Sequence, residues 1–373
     1  MLFDERPKDN LKYLFGRKNE VAELEDAISR PSPLIIITGL RRVGKTSVMK
    51  TVITKRSKFN IIIDLRDLGS KKHITRKDVV NLFQSSIQQF LDSHESMKAK
   101  FVDIFRSVRG VTVGPLGVNF DWQSKNELDF RSLFDKLNTW AKNNNTIILV
   151  AVDEAQEFRK SQHVDMNSIF ASIYDSCKNI ILILTGSEIG LLHEFLGLQN
   201  PKSPLFGRIA WEIKIKPLDK TQSENFLVQG FAQEKIKITQ KDSHVISEAS
   251  EELGGIIGWL IKFGLTCVRK KQISSKYILE TKKDGAILAR SEFDKFLENR
   301  TAKSRYETIM TALAARRSGW KSLKDYLELK SGETIYDKNF NDLLDSLLKS
   351  SFIEKTSEEY FISDPLLRFS FLS

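Results

Sequence analysis

The stretch that most narrows what this chain can fold into is Leu34-Ile35-Ile36-Ile37-Thr38-Gly39-Leu40-Arg41-Arg42-Val43-Gly44-Lys45-Thr46-Ser47. A short, wholly apolar β run ends at Thr38, and the next residues spell G-x-x-x-x-G-K-T. Residues 47–55 then have the composition of a helix start. Strand, glycine loop and helix in that order are the setting a P-loop requires. Its two glycines let the backbone curl until several N–H groups point inward at phosphate oxygens, and the positive end of the helix adds to that field. Lys45 is placed to reach β- and γ-phosphates, and the Thr46 hydroxyl to hold Mg²⁺. A glycine turn that only joins a strand to a helix is the alternative, and the flanking elements argue against it.

At 373 residues, with 41% hydrophobic and 28% charged side chains, the chain is expected to hold two or three domains with a sizeable core. The longest apolar runs, around 147–152 and 180–184, are too short to span a bilayer, so no membrane contact is expected. Residues 1–6 lack the basic-then-apolar layout of a secretory signal. Cys177 and Cys267 lie in apolar surroundings without ligand spacing, which predicts buried free thiols in a reducing cytoplasm and no zinc site. The formal net charge is +10, yet residues 286–373 carry as many acidic as basic side chains. The excess therefore belongs to the phosphate-binding half, and a basic balance alone is weak evidence for nucleic acid.

Along the chain, an amphipathic helix at 20–29 precedes the loop strand. Phe15 before it can lie against a nucleotide base or pack in the core. Asn60-Ile61-Ile62-Ile63-Asp64-Leu65 reads as a second buried strand, with Asp64 at its end and Asp67 facing solvent rather than a metal. Helical patterns follow at 76–91 and 96–108, then a hairpin between 111 and 122 around Gly114-Pro115-Leu116-Gly117, then a helix at 127–142.

Thr146-Ile147-Ile148-Leu149-Val150-Ala151-Val152-Asp153-Glu154 is the second decisive stretch. An apolar strand ending in two adjacent carboxylates is the Walker B arrangement. Asp153 can hold Mg²⁺ directly or through water, and Glu154 can polarise an attacking water as general base. A strand at 179–184 ends in Thr185-Gly186-Ser187-Glu188, making Thr185 and Ser187 candidate sensors of the γ-phosphate, with turn formation as the other reading. After Ser203-Pro204-Leu205-Phe206-Gly207-Arg208, the residues Ile209, Trp211, Ile213 and Ile215 alternate with Ala210, Glu212, Lys214 and Lys216. That alternation predicts an edge strand with one wet face. Arg208, just before it, is a candidate to reach a γ-phosphate, a surface arginine being the alternative. Residues 218–283 read as helix, bent at Gly254-Gly255. From 286 onward, three helices and a short hairpin describe a winged helix.

Taken in order, Phe15-Gly16-Arg17 with Glu20, the loop Gly39–Thr46, Ile63-Asp64-Leu65-Arg66, Asp153-Glu154-Ala155-Gln156, Thr185-Gly186-Ser187, Pro204-Leu205-Phe206-Gly207-Arg208 and Gly254-Gly255 with Gly258-Trp259-Leu260 resemble the archaeal ATPase family. That family belongs to the STAND branch of AAA+-type P-loop ATPases, related to the origin-recognition ATPases. The resemblance runs from about residue 11 to the end. It implies an α/β fold: a P-loop αβα sandwich with strand order 5-1-4-3-2, a helical lid and a C-terminal winged helix. The expected domains are 1–216, 217–285 and 286–373.

The motifs and the resemblance together give the expected roles, the resemblance carrying over Gly44, Lys45, Thr46, Asp153, Glu154 and Arg208. ATP or ADP would be held by Gly39, Arg41, Arg42, Val43, Gly44, Lys45, Thr46 and Ser47, with Phe15 and Arg17. Mg²⁺ would sit on Thr46 and Asp153. Glu154, Asp153, Lys45 and Arg208 would be catalytic, and Thr185 and Ser187 would act as sensors. One departure is Ile257, where such proteins usually carry a lid proline near the nucleotide.

The expected activity is slow ATP hydrolysis by a switch whose nucleotide state sets the angle between core, lid and winged helix, with a protein partner at the winged helix. The rival is a DNA-binding initiator or loader. Against it, the helix that would enter a groove carries Asp337, Asp342 and Asp345 beside Lys338, and carboxylates oppose phosphates. Arg316, Arg317, Lys321 and Lys324 supply only a small basic edge. A small-molecule phosphotransferase would need an acceptor pocket that the sequence does not announce.

Overall fold

Five parallel strands form the central sheet of the computed structural model, which describes residues 1–114, 117–122, 128–298 and 300–372. They are β1 (Leu34–Thr38), β2 (Asn60–Asp64), β5 (Ile148–Asp153), β6 (Ile180–Gly186) and β7 (Trp211–Lys214), with the hairpin β3 (Val111–Gly114) and β4 (Gly117–Phe120) standing outside the sheet. Their order is β2-β5-β6-β1-β7. Counted within the sheet alone, that is the expected 5-1-4-3-2.

Every residue of β1, β5 and β6 is buried, because helices cover both faces of the sheet. Leu34, Ile36, Val150, Val152, Leu182 and Leu184 pack on one face beneath the helices Arg76–Asp92, Phe130–Asn143 and Met166–Ser176. Ile35, Ile37, Leu149, Ala151, Ile181 and Ile183 pack on the other against Lys18–Ser29 and Lys45–Arg56. Each fully buried aliphatic side chain contributes about 1.5–3 kcal/mol, and together they fix the strand ends from which the functional loops start.

Two strand readings need correction. β2, expected to be buried, is the far edge of the sheet, and along it only Ile61 and Ile63 are fully covered. At the opposite edge β7 does alternate, with Ile213 buried and Glu212 and Lys214 exposed. Its alternation begins late, however, since Ile209 is 81% exposed ahead of the strand. The hairpin forms as expected on the helix Arg76–Asp92, where Phe120 N–H donates to Gln84 Oε1 at 2.8 Å. Its Pro115-Leu116 tip lies outside the described residues. So does Glu127, and the helix expected to begin there runs from Phe130 to Asn143, capped by Asp129 accepting from Ser132 N–H.

The expected divisions at 216 and 285 do not coincide with breaks in packing. Leu2 and Phe3 leave the ATPase core and join the lid core with Phe226, Phe231 and Phe263. Phe3 is seated between Gly230 and Gly264, where any Cβ would clash with its ring. The division at 285 falls inside the 23-residue helix Ser275–Leu297. Its first half contributes Ile278 to the lid, and its second half gives Ala289, Phe293 and Leu297 to the winged-helix core.

That last domain has the helices Lys303–Ala315, Trp320–Ser331 and Asp337–Lys349. It also has a sheet of β8 (Ser318–Gly319), β9 (Ile353–Lys355) and β10 (Glu359–Ile362) in the order β8-β10-β9. A final helix, Pro365–Phe369, returns to the lid through Leu366. Cys177 and Cys267 are free and buried, and burial pushes both thiols up to about 12. Among the described residues no helix is long and apolar enough to cross a membrane.

Candidate active site

Beyond Thr38 the chain turns through Gly39 at φ 151°, where a Cβ would lie 2.4 Å from the Ile215 carbonyl oxygen. Only glycine lets the loop leave β1 so close to the backbone that follows β7. Arg42 (φ 65°) and Gly44 (φ 100°) are left-handed too, and Gly44 caps the helix Lys45–Arg56. The curl aims the helix start into the loop. Lys45, 4% exposed, donates from Nζ to the carbonyl oxygens of Gly39 and Leu40 at 3.0 and 2.9 Å. Burial holds its ammonium below the usual lysine range, against the opposing fields of Glu154 and Asp153. Buried Arg17 donates from Nη2 to the Val43 carbonyl at 2.9 Å and pairs with Glu20 at 3.1 Å. Those bonds brace the loop.

β5 delivers Asp153 beside the loop helix, where the Thr46 hydroxyl donates to its Oδ2 at 2.8 Å. Thr185, at the end of neighbouring β6, donates to Oδ1. Asp153 is fully buried. Burial, then the charge of Glu154, raises its carboxyl above the usual aspartate value, while the Thr185 and Thr46 hydroxyls pull the other way. Glu154 leaves the strand in the left-handed region at φ 55°, an uncommon backbone for this residue type. That turn brings its Oε2 to the Gln156 Nε2 (2.7 Å), the Ser187 N–H (3.1 Å) and the Ser187 hydroxyl (2.6 Å). Burial alone would raise this carboxyl. Lys45, Gln156, Ser187 and Arg41 outweigh burial and hold it below the ordinary glutamate value. Two adjacent acids are thus pushed apart, an arrangement suited to distinct roles.

Loop, Glu154 and lid line one cavity of about 1150 Å³. At its apolar end stand Phe15, Phe226, Ile257 and Ile261, with Phe15 edge-on to Phe226 at 5.4 Å. This end fits a planar base, and Ile257 lines it where a proline was the usual residue. The polar end carries Lys45, Thr46, Glu154, Ser187 and the loop arginines.

The lid touches the loop directly: Gly258 N–H donates to the Arg42 carbonyl at 3.0 Å. The Arg42 guanidinium lies 4.3 Å from the Trp259 ring centroid and pairs with Glu292 at 2.6 Å. Arg41 pairs with Glu188 at 2.8 Å and reaches Glu292 at 3.4 Å.

The expected site residues on the loop, on β5 and on β6 are brought together here, with Phe15 and Arg17. Arg208 is not among them. It pairs with Asp175 at 2.5 Å and donates to the Pro204 carbonyl, because the turn after Ser203 aims it along the helix Met166–Ser176. Sequence reading missed Gln156, Arg66, Glu188 and Glu292 as site residues. Gln156 and Arg66 stood inside motifs already quoted, but nothing marked Glu292, 250 positions from its partner Arg42.

The donor set suits a small hard cation. A hydroxyl and a carboxylate oxygen lie side by side, as Mg²⁺ takes when substrate phosphates complete its shell. Among the described residues no His/Cys/Asp/Glu group could hold a metal ion unaided.

Comparison with known proteins follows the same lines. Residues 14–263 match the family described as an ATPase domain predominantly from Archaea, and residues 300–363 match the C-terminal winged helix-turn-helix domain of MCM proteins. A Walker-type ATPase of Pyrococcus abyssi is 32% identical with a TM-score of 0.83, covering 100% of both chains. The ORC2 protein of Aeropyrum pernix, solved in ADPNP–ADP complexes, superposes with a TM-score of 0.60 at 12% identity over 100% of this chain and 95% of its own. The second likeness is one of fold. No curated protein matches the chain.

Proposed function

This chain belongs to the family of ATPase domains found predominantly in Archaea, and we propose that it is a Mg²⁺-dependent ATP-hydrolysing switch of the STAND type. The observation that carries the reading is the convergence of Lys45 and Thr46, at the start of the loop helix, with Asp153 and Glu154, at the end of β5: Thr46 donates to Asp153, and Lys45, Thr46 and Glu154 line one cavity. In this reading Gly39–Thr46 is the Walker A loop and Asp153-Glu154 the Walker B pair.

The adenine lies at the apolar end between Phe15 and Ile257, and the phosphates run toward the start of the loop helix. Lys45, released from the Gly39 and Leu40 carbonyls, binds the β- and γ-phosphates. Thr46 and Asp153 would hold Mg²⁺, which supplies positive charge to the phosphate oxygens when bound. Thr185 fixes Asp153 from behind. Glu154, kept ionised by its surroundings, accepts a proton from the attacking water, and Ser187 and Gln156 orient its carboxylate. Nearly all catalysis here is charge placement prepared in advance.

The winged helix is proposed as the output. Glu292 on the lid-to-wing helix holds both loop arginines. On the wing side the Ile189 N–H donates to Ser351 Oγ at 3.0 Å. Nucleotide phosphates competing for Arg41 and Arg42 would loosen these contacts and reposition the wing for a protein partner, in a cytoplasm where the two thiols stay reduced.

The test is turnover by the purified chain with Mg²⁺ and ATP. Glu154→Gln should keep nucleotide binding and lower hydrolysis by about 10²–10⁴-fold. Unchanged turnover would remove Glu154 as the base.

A further inference from the structure

With Arg208 held away from the cavity, a different arginine stands at its polar end. We propose that Arg66 is the cation that reads the γ-phosphate within the same chain, an inference that rests on the ATPase reading above.

Arg66 comes two residues after Asp64, the last residue of β2, which lies in register with Asp153 of β5. Leu65 N–H donates to the Asp153 carbonyl at 3.1 Å, pinning the backbone that carries the arginine. Its side chain lines the cavity together with Lys45, Thr46 and Glu154. Asp64 grips the guanidinium, and Nε lies 3.8 Å from Asp153 Oδ2, the oxygen that accepts from Thr46. The head group therefore sits at the carboxylate cluster expected to meet metal and terminal phosphate.

Two further points separate it from a merely structural arginine. It is 48% exposed, so its donors can turn from Asp64 to a ligand without leaving a buried charge behind. Among its cationic neighbours, Arg159 reaches Glu188 at 3.8 Å, Lys160 pairs with Glu157 at 2.5 Å and Lys71 pairs with Asp78 at 2.6 Å. When a cation neutralises Asp153, the pull on Arg66 from that side falls. A planar guanidinium is then free to bind phosphate oxygens with two parallel donors. ADP ends short of this position, so Arg66 discriminates the two nucleotides.

The experiment measures the affinities of the full chain for ADP and for a non-hydrolysable ATP analogue, each with Mg²⁺, alongside kcat. Arg66→Ala should leave ADP affinity within about twofold and weaken the analogue at least tenfold. It should also lower kcat by roughly 10²-fold or more, toward the range of arginines that stabilise phosphoryl transfer. Arg66→Lys, which keeps charge without the fork, should recover part of the analogue affinity. Equal losses for ADP and analogue, or no loss for either, overturn the proposal. A wild type that binds neither nucleotide overturns the ATPase reading itself. A wild type that binds both and differs from Arg66→Ala in nothing overturns only the role of Arg66. Thermal unfolding of both variants checks that they fold.

Discussion

The phosphate cavity and the winged helix are built from the same residue types and use their charges in opposite ways. In the cavity, charged groups are partly or wholly buried and find partners across the chain: Arg41 with Glu188, Arg42 with Glu292, Thr46 with Asp153. In the winged helix the ion pairs lie at the exposed surface. Lys324 pairs with Asp337, itself 70% exposed, and Arg305 with Glu333, 65% exposed. Exposed pairs like these contribute little to stability, so that domain rests on Ile309, Met310, Phe340 and Leu344 in its core.

Charge in the cavity is therefore preorganised for a ligand, while charge on the wing keeps a surface soluble. The wing helix Asp337–Lys349 is also tied to the core at one end, where Lys349 meets Glu194 at 3.0 Å. Its attachment to the nucleotide-binding half is a built contact, and a basic groove-facing surface is not what its acidic residues provide.

Three measurements would sharpen or break this contrast. The largest effect is expected from Lys45→Ala, which removes a buried cation at the loop. Affinity for a fluorescent ADP analogue should fall by at least ~30-fold, the loss expected when one partner of a desolvated charge contact is truncated. Binding at wild-type strength would mean the loop is not the phosphate site.

A middle-sized effect concerns Asp153. Its pKa in the folded chain is raised, so burying it ionised destabilises the fold at neutral pH. That penalty is relieved as pH falls through the folded value. Asp153→Asn should raise thermal stability of the ligand-free chain by about 2–4 °C at pH 7. The gain should shrink toward pH 4, and the Mg²⁺-dependent part of nucleotide binding should be lost. Glu154 has the opposite sign: its lowered pKa contributes stability above the ordinary glutamate range, lost as pH drops through the folded value. A variant less stable than wild type at pH 7 would contradict the assignment of Asp153.

The smallest effect is expected on the wing. Fluorescence anisotropy with a DNA duplex between 50 and 200 mM salt should give weak binding with a shallow salt slope. Asp342→Lys should steepen that slope by about one. Tight, steeply salt-dependent binding by the unaltered chain would restore the DNA-loading reading.

How much of this was legible beforehand depends on how local each feature is. The loop could be read because strand, glycines, lysine and helix are contiguous, and Asp153-Glu154 because an apolar strand must end where its acids begin. The pairing of Thr46 with Asp153 followed from sheet order. Glu154's left-handed backbone could not be read, since nothing in its neighbours by sequence demands it. Whether Arg208 faces its own chain's cavity or the surface could not be read, because the turn at Pro204 chooses between the cavity and Asp175, and both are consistent with the same string of residues. Nor does any pattern in residues 1–4 announce that Phe3 fills a hollow between two lid glycines.

Periodicity, glycine spacing and strand-end acids were enough to specify a three-layer sheet with a phosphate loop facing two carboxylates, because each depends on short-range sterics and on burial of contiguous apolar runs. Where Arg66 and Arg208 come to lie, how the lid meets the loop through Gly258, and where the wing docks were decided only when distant surfaces packed. Those contacts join groups from tens to hundreds of residues apart, and their energies depend on orientation and desolvation that no local pattern encodes.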